Sequence, residues 1–327
     1  GGRKALARFA AGAVKCFADE EKTRFRADLD LTGALISPHV RFGELSPRRV
    51  VAEVSKALDR GDGKRAPRSL STFLRRFAWR DLAYWSLWYF PTLCDAPLRP
   101  QYEKQAWADA AAACDAGDAC SKLRAWQLGL TGFPLVDAAM RQLWVWGWMP
   151  NYVRHVVASF LVEHLHLDWR HGEAWFHDTL VDADAAINAF MWQNGGRSGM
   201  DQWNFVMHPV HAAKNCDPEG DYVRRWCPEL AALPRDHIHQ PWRAPASLLA
   251  GARVQLVHCG AGRPRAHAAL GLRPDGTGCY PHRVIRNLDR ARQVAHDAVL
   301  AVRASPEGRK FVLSDGSEAL PLRCGRT

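Results

Sequence analysis

Helical periodicity is the feature that most narrows what this chain can fold into. From Pro134, whose fixed φ suits a first helical turn, Leu135, Ala138, Ala139, Leu143 and Trp146 keep to one apolar stripe until Gly147. Val153, Val156, Val157, Phe160, Leu161 and Leu165 then recur at three- and four-residue steps, which predicts a helix over about 151–165. Its other face gathers Asn151, Arg154 and His155. The same spacing predicts helices over 3–18, 47–60, 71–88, 173–181, 184–193 and 287–303. Strand-like alternation is nearly absent, its best short instance being Lys-Phe-Val-Leu-Ser at 310–314. The expected fold class is therefore all-α. The expected organisation is a helical domain over 1–250, a Gly-, Pro-, Arg- and His-rich loop or insertion over 251–283, a final helix over 284–303 and a carboxyl-terminal tail over 304–327.

Composition removes several function classes. A chain of 327 residues with 47% hydrophobic residues can build a sizeable core. It holds no run of about 18 apolar residues, and Gly1-Gly2-Arg3-Lys4 leads into an amphipathic stretch, which argues against membrane spans and secretion. Nine cysteines, odd in number and without a C-x-x-C pair, argue for reduced thiols in an intracellular compartment, whether chloroplast, nucleus or cytoplasm. They argue equally against a zinc or iron–sulfur cage, and with only the pair His164-x-His166 and no H-E-x-x-H, no metal site is expected. A formal charge of +10 favours an anionic partner without requiring one. Fourteen tryptophans suit packing on a large planar ligand, base stacking or electron transfer, although core packing is the default for any single one.

Five stretches, in order, resemble the cryptochrome/photolyase family. They run from Ile36 through Arg48, from Trp126 through Pro134 with Asp137 and Arg141, from Gly147 through Arg154, from Leu180 through Gln193, and from Asp217 through Trp226 with Pro228-Glu-Leu230. Together they cover about residues 30–245, and the spelling is nearest to a plant and algal photolyase-related branch whose members are described as photolyases or blue-light receptors. The resemblance implies a helical FAD-binding domain without the amino-terminal α/β antenna domain. Ser37 falls in the diphosphate-binding turn, with Thr32 beside it. Arg154 and Asp182 match the ion pair beside the flavin ring, Asp184 the acceptor for its imide N–H, and Asn188 the group facing N5. Outside the family context, Asp182 and Asp184 read as helix caps. Trp192, Trp169 and Trp107 match an electron-transfer chain from flavin to surface.

The resemblance leaves two functions in view, repair of pyrimidine dimers with DNA as partner, or blue-light signalling with a protein partner. For repair, Trp79 and Arg80 match a lesion pocket, and Met149 and Asn151 stand at lesion-facing positions. Arg41, Arg48 and Arg75 could touch backbone phosphates. His155 matches the proton donor of six-four photolyases. Against repair, the acidic residue three positions before Trp79 is replaced by Arg76, and the second clamp tryptophan by Asn194. That exchange gives up half of an aromatic sandwich worth roughly 1–3 kcal/mol per stacked base.

Overall fold

The computed structural model describes residues 1–17, 33–59, 66–111, 121–202, 205–258 and 271–320. The fold is helical almost throughout. Helices α1 (Gly2–Ala11), α2 (Ser37–Arg41), α3 (Pro47–Asp59) and α4 (Ala66–Tyr89) form an amino-terminal group. Its own apolar cluster includes Phe9, Val40, Val54 and Phe73. The first helix stops at Ala11, short of the expected 18, because Gly12 leaves helical geometry at φ −147° and a 3-10 turn, Ala13–Cys16, follows.

Next come α5 (Lys122–Leu128), α6 (Pro134–Trp146), α7 (Asn151–Ser159), α8 (Trp169–Thr179) and α9 (Ala185–Gly195). Local chemistry sets their ends. Ser121 caps α5 and Asp168 caps α8 with side-chain bonds to backbone N–H groups, and α6 begins at Pro134. The apolar stripe of α7 runs on past the helix into a π turn, Phe160–His164, closed by a bond from Leu165 N to Phe160 O at 2.9 Å. The predicted helix over 151–165 is therefore two helical forms in series. Buried Trp126, Leu143, Val157, Phe160 and Leu161 anchor the largest apolar cluster, each contributing about 1.5–3 kcal/mol. A third cluster joins α4 to α9 through Ala83, Ala186 and Phe190.

Four short helices follow, α10 (Pro209–Cys216), α11 (Asp221–Trp226), α12 (Arg235–Ile238) and α13 (Ala246–Gly251). Within 251–283, where the sequence suggested a loop or insertion, three strands form one sheet in the order β1 (Val254–Val257), β3 (Gly278–Pro281), β2 (Gly271–Leu272). Strand β3 pairs parallel with β1 and antiparallel with β2. The sheet is tied to the helices by Tyr280, whose hydroxyl donates to buried Asp137 at 2.5 Å. Burial raises the Asp137 carboxyl above its usual range. The alternating segment at 310–314 forms no strand, only a single bridge between Val312 and Glu318.

The last long helix, α14 (Leu288–Ala304), starts at Asn287, whose side chain accepts from Arg290 N at 2.9 Å. After it, α15 (Pro306–Arg309) and the chain to residue 320 fold back on the domain. Their anchor is Glu318, which accepts from Gln101, Tyr102, Gln202 and Arg303 at 2.7–3.1 Å. Among the described residues no helix is long and apolar enough to cross a membrane.

Candidate functional site

Three apolar clusters border a cavity of about 550 Å³, to which Val40 and Phe73 from the first, Met149 from the region of the largest and Phe190 from the third contribute walls. A smaller chamber of about 120 Å³ shares Asn151, Arg154, His155, Asp182 and Asp184 with it and adds Asn188 and Trp192. Residues named from four separate parts of the sequence, around 37–41, 76–80, 149–155 and 182–194, thus meet in one hollow, of a size common for small-molecule and cofactor sites. Thr32 lies outside the described residues.

The floor comes from the first turns of α7 and from the loop between α8 and α9. That loop is held against the end of α6 by a bond from Val181 N to Gly147 O at 2.9 Å. Gly147 sits at φ +64°, and a Cβ there would fall 2.6 Å from Val181 Cγ1, so only glycine permits this approach. The approach aims Asp182 at Arg154. The guanidinium donates through Nη1 and Nη2 to the two carboxylate oxygens at 3.2 and 3.0 Å, and its Nε donates to Met149 O at 3.0 Å. With side chains 23% and 6% exposed, this is a bidentate, mostly desolvated pair.

Asp184 does two jobs. It caps α9 by accepting from Ile187 N at 3.2 Å, and it lines the cavity while accepting from the Tyr84 hydroxyl at 2.6 Å. Burial and this bond raise the Tyr84 pKa, so the phenol stays a donor. Arg41 Nε lies 3.7 Å from the same carboxylate and donates to Ala183 O at 2.7 Å. The cap reading thus holds for Asp184, whereas Asp182 is engaged by Arg154. Asn188, one turn into α9, donates through Nδ2 to Glu173 O and Oε1, both at 2.9 Å. Its amide oxygen is therefore the group left to face the chamber.

Ser37, the first residue of α2, also lines the larger cavity. Of the tryptophans, Trp192 reaches the chamber wall and packs edge-on against Phe176 and Trp126, with ring centroids 5.0 and 6.2 Å away. Trp169 is buried at the start of α8, and Trp107 is half-buried against His166 at 5.3 Å.

The outer wall carries Arg76, Trp79 and Arg80 from one face of α4 and Asn151 from α7. Trp79 rests on Phe190 at 6.0 Å, and the Arg80 guanidinium sits 4.7 Å over the Tyr84 ring. Among the described residues the large cavity is lined by Arg41, Arg76, Arg80 and Arg154 against Asp182, Asp184 and Asp201, and two of these carboxylates are already engaged. The hollow therefore favours anionic ligands. His155 is pushed down to about 4 by burial and by the Arg76 and Arg154 guanidinia, so its ring is neutral near pH 7. Neither Arg48 nor Arg75 lines the cavity.

Sequence reading missed Glu173, Tyr84 and the free amide of Asn194. No local pattern marks them, since their partners lie 15 and 100 residues away for the first two.

A family profile described as the FAD binding domain of DNA photolyase matches residues 73–298. This chain belongs to the cryptochrome/photolyase family. Its match to the deoxyribodipyrimidine photo-lyase of Agrobacterium fabrum is 42% identical over 246 residues, 72% of this chain and 49% of that protein. Cryptochrome-1 of Arabidopsis thaliana is 36% identical over 260 residues, 78% of this chain and 36% of that one. Among solved structures, a bacterial class III photolyase from Agrobacterium tumefaciens superposes with a TM-score of 0.76 at 36% identity, covering 93% of this chain and 56% of that one. The chain thus spans half or less of the length of these two curated relatives. The cryptochrome/photolyase helical domain is an FAD-binding one, as the resemblance implied.

Proposed function

We propose that the joined cavities hold FAD and that the whole protein uses it for light-driven repair of pyrimidine dimers in DNA. The observation carrying this reading is the shared wall. Asn151, Trp79 and the arginines Arg41, Arg76 and Arg80, suited to a flipped-out base and its phosphates, border the same hollow as Arg154, Asp182, Asp184 and Asn188.

The donor set fits the cofactor. Bound FAD supplies one-electron donation on absorbing blue light. Around it, Arg154 provides a fixed cation for a reduced, anionic ring, and Asp182 keeps that cation from turning away. Asp184 retains acceptor capacity for an imide N–H after its bonds to Ile187 and Tyr84. The Asn188 oxygen, left open by the two bonds of its Nδ2 to Glu173, would accept from an N–H of a reduced flavin ring. Ser37 contributes to the diphosphate turn, with Thr32 as its sequence neighbour. Trp192, Trp169 and Trp107 would supply oxidisable rings for electron transfer to a bound flavin, as the resemblance implies.

His155 does not support the six-four variant of the reaction. A ring held neutral at physiological pH has no imidazolium proton to give. The second reading is a blue-light receptor, favoured by a basic Arg76 in the cavity wall and by cryptochromes among the relatives. The deciding experiment is light-dependent repair of a thymine-dimer oligonucleotide by protein carrying chemically reduced FAD, with a dark control. Repair is expected. No repair with flavin bound and reduced would leave the receptor reading.

A further inference from the structure

One polar group in the cavity wall has no partner among the described residues. Helix α9 turns Ile187, Phe190, Met191 and Asn194 toward the large cavity, a spacing of one helical face. Asn194 is 1% exposed, and its Nδ2 is buried without a hydrogen-bond partner. The amide cannot simply turn over to relieve this. Its Oδ1 accepts from Asp201 N at 3.1 Å, a bond that only an oxygen can make. The loop carrying Asp201 is itself locked to the end of α9 through Ser198 N and Gly199 N, which donate to Gln193 O at 3.0 and 2.9 Å. Gly199 lies so close to the Asn194 side chain that a Cβ there would collide with Oδ1. A buried donor left unpaired costs about 1–3 kcal/mol, and here the surrounding loop holds it in that state.

The position of the donor says what it meets. Asn194 borders the large cavity but not the small chamber that holds Asn188 and Trp192, so it belongs to the part of the hollow beyond that chamber. Trp79 lies in the same part and packs on Phe190, one turn from Asn194. A planar base resting on Trp79 is offered a neutral N–H from the α9 side, while phosphate oxygens are better served by the arginines.

We propose that Asn194 is a specificity-determining residue, donating a hydrogen bond through Nδ2 to a ring carbonyl of a flipped-out pyrimidine. It replaces an aromatic clamp with a directional polar contact, so recognition relies on one stacking face, Trp79, and one donor. This assignment rests on the repair reading above.

The test uses FAD-loaded protein in the dark and compares binding of a thymine-dimer oligonucleotide with its undamaged counterpart. Asn194→Leu removes the donor. Asn194→Asp keeps the acceptor for Asp201 N, and with it the loop, while converting the donor into a second acceptor. Both are expected to lose about tenfold of the dimer-over-undamaged preference, with the flavin absorption band and flavin retention unchanged. If Asn194→Leu disturbs flavin retention, Asn194→Asp decides. Full preference in Asn194→Asp, alongside a wild type that discriminates, overturns the role of Asn194 and leaves the repair reading standing. A wild type that binds both oligonucleotides equally overturns both.

Discussion

On the floor of the cavity Arg154 and Asp182 satisfy each other in bidentate geometry, and Asp184 is held by a helix N–H and a tyrosine hydroxyl. On the outer wall Asn194 keeps a buried donor unpaired. The floor is thus preorganised by its own internal pairing, whereas the outer wall keeps one donor, that of Asn194, in reserve. The difference suits a site that holds one ligand permanently and meets another transiently. A resident ligand benefits from fixed partners, and a visiting one needs groups that are not already committed.

The comparison breaks most visibly at Arg154. Arg154→Ala leaves Asp182 mostly buried without its counter-charge, and a loss of about 3–5 kcal/mol in urea unfolding is expected, with FAD lost on gel filtration. Retained flavin and unchanged stability would show that the floor is not held by this pair.

A smaller effect concerns the wall that both regions share. The folded value of His155, about 4, lies below its ordinary 6.5, so between these values the unfolded chain binds more protons than the folded one. Stability from this group is complete above about pH 6.5 and is lost as pH falls through 4. Its full amount is roughly 3 kcal/mol. His155→Gln should flatten that part of the stability profile by a measurable fraction. An unaltered profile would mean that the ring is not held neutral.

The smallest effect is expected for Arg76→Ala. On an exposed position it should change stability by less than about 1 kcal/mol and leave flavin bound. Removing this cation should also make His155 easier to protonate, since Arg76 is the second cause of its depression. DNA affinity should fall a few-fold, with a shallower dependence on salt. Loss of flavin in this variant would erase the distinction between the two walls.

Much of the floor could be read from the chain because its residues sit in short, self-contained motifs. Arg154 shares one helix with Asn151 and His155 of the adjoining wall, and Asp182, Asp184 and Asn188 fall within seven residues. Helix spacing alone was enough to bring the first three to one face, whereas the second three run together through the loop and first turn of α9. The outer wall was harder, because the loss of a tryptophan at Asn194 is visible while the free donor is not. That donor exists because Asp201, seven residues on, claims the other end of the amide. The sheet was missed for a related reason. Strand β1 has four residues, and its partner β3 begins at Gly278, so no local alternation announces either. The stretch after Ala304 looked like a tail, yet Glu318 docks on side chains over 200 residues earlier.

By itself, the sequence determined the helical class, the main helix starts and the family to which the chain belongs. Periodicity, caps and prolines act over a few residues and need no partner from elsewhere. Only the tertiary structure decided which polar groups are already paired and which remain open, such as Arg154 against Asn194. Hydrogen-bond satisfaction depends on atoms brought within about 3 Å from distant parts of the chain, and no spacing rule encodes that distance.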